Sequence, residues 1–214
     1  MKIDAHQHFW VLARGDYTWL KPELGTIYRD YTPSDLLPLI ERHRIDGTVL
    51  VQAAPTLEET VFMLDLAASN TFVKGVVGWV DFNAPEAQGV IEWLAENPVL
   101  VGLRPMIQDI PEADWMLSPE LKGVFSALIA QNLTFDALTL PQHLPSLKEL
   151  LVRYPQMRVV IDHGSKPRIR ENKFGQWAKS MADISRNTVA FCKLSGLVTE
   201  ASRDWLVEDL KPYV

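Results

Sequence analysis

Asp4-Ala5-His6-Gln7-His8 sets two histidines one residue apart at the end of an apolar-alternating segment that starts at residue 2. In a β-strand alternate side chains leave on one face, so His6 and His8 point the same way and Gln7 points oppositely. Two imidazoles aimed together from one strand end can hold a single metal ion or polarise one carbonyl. The plainer reading is an edge strand with two solvated histidines. Other polar residues stand where further apolar runs stop: Gln52, Asp81, Arg104, Asp162-His163, Ser195 and Thr199, with Asp136 inside another run.

Each of these has two readings. Asp4 shares the parity of His6 and His8, so it either orients a histidine or is a hydrogen-bonded structural carboxylate. Arg104, in Gly102-Leu103-Arg104-Pro105, either anchors an anionic substrate through its planar fork or pairs with Asp109 or Asp81. His163 precedes Gly164-Ser165-Lys166-Pro167, a loop that lets backbone approach a ligand; its alternative is a satisfied core histidine. Lys166 either binds a carboxylate or is solvated. His143 falls after the fifth apolar run, near enough for the site to stay open to it, whereas His43 lies in a charged helix end and reads as surface. Cys192 reads as a small buried hydrophobe. No Gly-x-Ser-x-Gly elbow is present, which leaves water attack on a carbonyl as the chemistry these residues can serve.

Seven apolar, β-branched segments must position these groups, at 2–8, 48–53, 74–80, 99–104, 133–138, 157–163 and 189–194, with helical patterns between. Helix starts are marked by Thr32-Pro33 and Ser118-Pro119, and by the capping-box patterns Thr56/Glu59 and Asn83/Glu86. Strand–helix alternation predicts a parallel α/β sheet. The first turn lacks phosphate-cradling glycines, which favours a TIM-type (β/α)₈ barrel over a doubly wound sheet, one strand short. In such a barrel the polar residues at strand ends share one catalytic rim. Residues 11–31, rich in aromatics, read as a loop over the barrel mouth or as a cover for the first helix.

The chain of 214 residues is read as a single domain spanning 1–214. Its 21 Lys and Arg against 27 Asp and Glu, with no basic run, argue against a nucleic-acid partner. The single cysteine makes no internal disulfide, and no apolar stretch has membrane-spanning length, so a cytoplasmic protein with no membrane partner is expected.

With Ile3–Trp10, Gly102-Leu103-Arg104, Ile161–Pro167 and Cys192–Leu197 in order, the whole chain resembles the amidohydrolase superfamily, and most closely its amidohydrolase-2 branch of sugar-lactone hydrolases. The resemblance implies a distorted barrel that hydrolyses a small sugar-acid lactone. It implies His6, His8 and His163 as catalytic residues and as ligands of one divalent ion, with zinc the expected metal. Arg104 and Lys166 would hold the substrate carbonyl or carboxylate, with Trp10 and Gln52 completing the substrate contacts. The family's eighth strand carries an aspartate in a Gly-Ser-Asp-Trp-Pro-like motif, for which this chain has no counterpart. Either the sequence is a piece of a protein roughly 60–70 residues longer, as ordinary barrel size suggests, or it is a truncated form. The 214-residue form is expected to be inactive or strongly impaired, with the edges of strands one and seven filled by a partner chain, for instance in a homo-oligomer. Two other readings remain: a decarboxylase or hydrolase of a cyclic aromatic-derived acid, and a non-catalytic ligand-binding barrel.

Overall fold

β-Branched and apolar runs too short for helices become the strands, and capped amphipathic runs become the helices between them. The computed structural model describes residues 1–214, which divide into two compact units, Met1–Arg104 and Pro105–Val214. In the first unit the order is β1 (Ile3–Gln7), α1 (Pro33–His43), β2 (Gly47–Val51), α2 (Leu57–Ser69), β3 (Val73–Gly78), α3 (Ala87–Leu94) and β4 (Leu100–Leu103). The second unit holds α4 (Lys122–Ala130), β5 (Thr134–Ala137), α5 (Leu144–Arg153), β6 (Val159–Ile161), α6 (Gly175–Asn187), β7 (Phe191–Cys192) and the short helices α7 (Leu197–Glu200) and α8 (Val207–Leu210). Within each unit the strands pair in parallel and in chain order. This is the α/β pattern of a TIM-type barrel carried through its seventh strand.

Each unit has its own core. In the first, Leu50, Val51, Val76 and Leu103 from the strands bury with Met63 and Ile91 from the helices. In the second, α5 sends Leu144, Leu147, Leu150 and Leu151 to one face, a helical repeat against the sheet. Phe125 and Phe135 meet edge to face at 5.6 Å. Each such fully buried side chain contributes about 1.5–3 kcal/mol.

The helix-start signals met different fates. Pro33 begins α1, and the Asp35 carboxylate accepts from the Thr32 amide and hydroxyl, both at 2.8 Å. Backbone bonding here and the Arg29 guanidinium hold the Asp35 carboxyl down at about 2. Thr56 caps α2 by accepting the Glu59 amide at 3.1 Å, but the Glu59 carboxylate is drawn elsewhere, so only half the expected box forms. The Asn83/Glu86 box is absent: Asn83 donates its amide to Asp81, and α3 starts after Glu86.

Cys192 corrects a sequence expectation, because it is exposed. In its unit, β7 has two residues and pairs with β6 on one side only, so apolar residues along it and beside it, Phe191 (75% exposed) and Leu194 (66%), are left uncovered too. No helix of the chain is long and apolar enough to cross a membrane.

Candidate active site

In the first unit, β1 does not alternate cleanly. Asp4 pairs with Thr48 and Gln7 with Leu50, so β1 carries one extra residue and bulges around Ala5-His6. Asp4 Oδ1 accepts the His6 amide at 3.1 Å, which makes Asp4 the brace of the bulge. The bulge turns the two imidazoles onto each other, ring centroids 4.9 Å apart and nearly perpendicular, with His6 Nε2 3.1 Å from His8 Nε2. His8 Nδ1 lies 2.7 Å from the Val51 carbonyl oxygen. A carbonyl only accepts, so Nδ1 carries the proton of neutral His8 and Nε2 offers its lone pair toward His6.

Arg104 and Gln52 clasp each other across the end of β3. Their amides extend the ladder by donating to Gly78 and Val77, at 2.8 and 2.9 Å. Gln52 Nε2 then donates to the Arg104 carbonyl at 3.0 Å, and Arg104 Nη2 donates to the Gln52 carbonyl. Arg104 Nη1 comes within 3.5 Å of His6 Nε2. Both residues are buried, so a fixed cation is held beside the histidine pair by neutral oxygen.

The aromatic loop packs on the end of β2. Tyr17 and Leu20 bury against Ala53 and Ala54, with Trp10 and Leu12 alongside, and Trp19 donates to the Ala53 carbonyl at 2.8 Å. Trp10 bridges to Tyr31 through the backbone, gives its indole N–H to the Arg29 carbonyl at 2.7 Å, and meets Trp19 and Tyr31 edge to face. Beneath the loop lies Glu59, fully buried, which accepts from the Tyr17 hydroxyl at 2.8 Å and the Ala53 amide at 3.2 Å, with Arg14 at 3.4 Å. Burial pushes the Glu59 carboxyl above the ordinary range, against the pull of these donors. Tyr17 is raised as well, by burial and by the Glu59 charge.

In the second unit, β6 ends in a turn of four left-handed residues: His163, Gly164, Ser165 and Lys166, with φ of 52, 57, 61 and 48°. The Lys166 amide closes it on the His163 carbonyl at 2.9 Å. Trp177 Nε1 donates to the Gly164 carbonyl at 2.6 Å and the buried Ser165 hydroxyl meets Thr139 at 2.8 Å, contacts that hold the strained backbone. His163 Nδ1 is 2.9 Å from the Ser195 hydroxyl, and Gly196 sits so close that a Cβ there would stand 2.7 Å from that nitrogen. The Lys166 ammonium reaches Gln108 Oε1 at 2.5 Å.

A buried ion group sits at the neighbouring strand ends. Lys193 Nζ is 2.5 Å from Asp136 and 3.0 Å from Asp162, both carboxylates almost wholly buried. His143 is also buried; its Nδ1 accepts the Leu140 amide at 3.0 Å, and burial pushes its pKa down. It is therefore a neutral brace of the loop after β5. His43 is exposed, as expected.

His6, His8, Gln52 and Arg104 are thus brought together within one unit, and His163 and Lys166 within one turn of the other. Sequence reasoning missed Glu59, Lys193, Gln108 and Gly196, whose partners are distant along the chain. The histidine pair fits a divalent ion: nitrogens at opposite corners of a tetrahedral zinc site stand about 3.3 Å apart when each Zn–N bond is about 2.0–2.1 Å. The proton fixed on His8 Nδ1 by a carbonyl is the outer support that metal-binding histidines usually have.

Known proteins resemble the chain along its whole length. The chain is 44% identical over 213 residues, 100% of its length and 73% of the relative's, to an L-fucono-1,5-lactonase of Burkholderia ambifaria. It is 34% identical over 218 residues, 96% of this chain and 70% of the relative, to an L-fucono-1,5-lactonase of Burkholderia multivorans. A crystal structure of an amidohydrolase from Burkholderia multivorans with bound zinc superimposes with a TM-score of 0.89 at 32% identity, covering 99% of this chain and 76% of that one. The amidohydrolase family profile matches residues 3–214, and the chain belongs to that family.

Proposed function

We propose that the chain hydrolyses a sugar-acid lactone, with His6 and His8 holding one divalent ion, zinc by analogy with the related amidohydrolase. The observation that carries this reading is the pair of Nε2 atoms 3.1 Å apart, one tautomer fixed by Val51, in a chain this similar to two lactonases. When bound, the ion would supply Lewis acidity toward water and the lactone carbonyl.

The chain's own residues do the rest. Arg104, aimed by the Gln52 carbonyl, faces the developing oxyanion as water adds to the acyl carbon. Gln52 keeps that guanidinium from turning away. Lys166 supplies a second cation for the substrate carbonyl or the carboxylate that forms. The loop anchored by Tyr17 and Trp19 excludes water from the end of β2. The loop aromatics turn their edges onto one another, so they favour a packed wall over a stacking platform for a planar acid.

The test pairs turnover with metal analysis. L-Fucono-1,5-lactone, other aldonolactones and pyrone-type acid lactones are assayed with the zinc-loaded chain, and zinc is counted in wild type and His6→Ala. Slow hydrolysis of aldonolactones in preference to the pyrone-type acids, and about one zinc per chain that is lost in His6→Ala, is expected. No aldonolactone turnover, or zinc retained by the variant, overturns the reading.

A further inference from the structure

Two cations, one ending the left-handed turn and one just after it, are held by neutral oxygens. Lys166 meets the Gln108 amide oxygen at 2.5 Å, and Arg170 donates from Nε to the Glu200 carbonyl at 3.2 Å and from Nη2 to the Thr199 carbonyl at 2.7 Å. Both line a cavity of about 250 Å³ with Arg168, Gln142, Glu171 and Glu200. A carboxylate partner would cancel such a charge, whereas an amide or peptide oxygen orients the cation and leaves its charge to act. Of the two acids in the lining, Glu171 is taken up by Lys173 at 2.6 Å and Arg168 at 3.8 Å. The Glu200 carboxylate accepts from the Thr199 hydroxyl at 3.3 Å. The cavity is smaller than the ~300–1,000 Å³ of drug-sized sites, which suits a small anion. Its lining comes from the segments that follow β5, β6 and β7, the rim on which a barrel does its chemistry.

We propose that this pocket is a carboxylate subsite for the ring-opened hydroxy acid that lactone hydrolysis releases, an inference that rests on the lactonase reading. In that reaction the water oxygen bonds to the acyl carbon and the bond from acyl carbon to ring oxygen breaks. One water proton ends on the ring oxygen as a hydroxyl, and the other leaves as the acid ionises. A neutral lactone becomes an anion, and the anion gains far more from Lys166 and Arg170 than a neutral carbonyl does. The pocket favours product over substrate and makes the enzyme sensitive to its own product. Gln108 is a positioning residue here, because it places the Lys166 ammonium without neutralising it.

Calorimetric titration of the 214-residue chain with L-fuconate, and separately with inorganic phosphate, tests this. Gln108→Glu sets a carboxylate on Lys166 at nearly constant shape, and Lys166→Gln removes the charge; circular dichroism and melting verify that both variants fold. Each is expected to bind L-fuconate about tenfold more weakly than wild type, with phosphate weaker than L-fuconate throughout. Unchanged L-fuconate affinity in both folded variants overturns the proposal, as does phosphate binding as tightly as the sugar acid. Titration with the preformed acid needs no turnover, so a chain that fails to hydrolyse the lactone sinks the lactonase reading while these affinities still decide the subsite.

Discussion

Gly196→Ala is the sharpest test of how His163 is held. Gly196 has φ of +66°, and a Cβ built there would stand 2.7 Å from His163 Nδ1, 2.8 Å from Cγ and 3.0 Å from Cβ. Contacts between carbon-sized atoms settle near 3.5–4.0 Å, so the ring must retreat by roughly 1 Å. An L-residue in the left-handed region also costs about 1–2 kcal/mol. For a chain of this length that lowers Tm by roughly 2–8 °C. Displacement of the ring breaks its contact with the Ser195 hydroxyl, and a misplacement of about 1 Å costs on the order of 100-fold in rate. The assay compares melting, zinc stoichiometry and lactone turnover in wild type, Gly196→Ala and Ser195→Ala. Ser195→Ala removes the hydrogen bond without the push, so it should lose much less turnover. A Gly196→Ala protein that melts lower but keeps wild-type zinc content and turnover would refute the claim that Gly196 seats the imidazole.

Other consequences can be measured directly. The Glu59 pKa is raised in the folded state, so its contribution to stability is full below the ordinary carboxylate range and is lost as pH rises through the raised value. Glu59→Gln should flatten that stretch of the urea-midpoint profile and speed proteolysis within residues 11–31; an unchanged profile contradicts burial as the cause. Asp35 is held down at about 2, so its contribution is present above the ordinary carboxylate value and fades as pH falls toward 2. In Asp35→Asn the acid limb of the stability profile should lose that slope. Lys193→Met removes the ammonium between two buried carboxylates and should cost about 3–5 kcal/mol by urea unfolding. A loss under 1 kcal/mol, well short of that ~3–5, would mean that Asp136 and Asp162 have other sufficient partners.

The strands and the His-x-His pair were legible because they depend on local pattern. Apolar runs bounded by turn residues located all seven strands, though the runs extended past the ladders, since apolarity and backbone pairing stop at different residues. Thr32-Pro33 marked α1 because a cap acts within one turn. Glu59 misled for the same reason: it sits at the right spacing for a box with Thr56, but a buried hydroxyl from Tyr17 and the Ala53 amide outcompete the local donor. Cys192 misled because alternation tells which side a residue faces and not whether that side is covered. The roles of Gln108, Lys193 and Gly196 were not legible, since they lie in partners met only after folding. Lys193 and Gly196 carried a signal only as members of the Cys192–Leu197 motif next to a predicted strand end.

The left-handed turn from His163 to Lys166 bears on attempts to engineer this chain. Three of its four residues have side chains that disfavour their own backbone, a standing strain of about 1–2 kcal/mol each. Glycine at Lys166, unlike glycine at Ser165, would relieve it without breaking a buried hydrogen bond, so a library screened only for heat resistance should enrich glycine there. Those clones would melt higher while losing the Lys166 ammonium. Thermal screening on its own would select against the chemistry, and a counter-screen for ligand binding belongs in the first round.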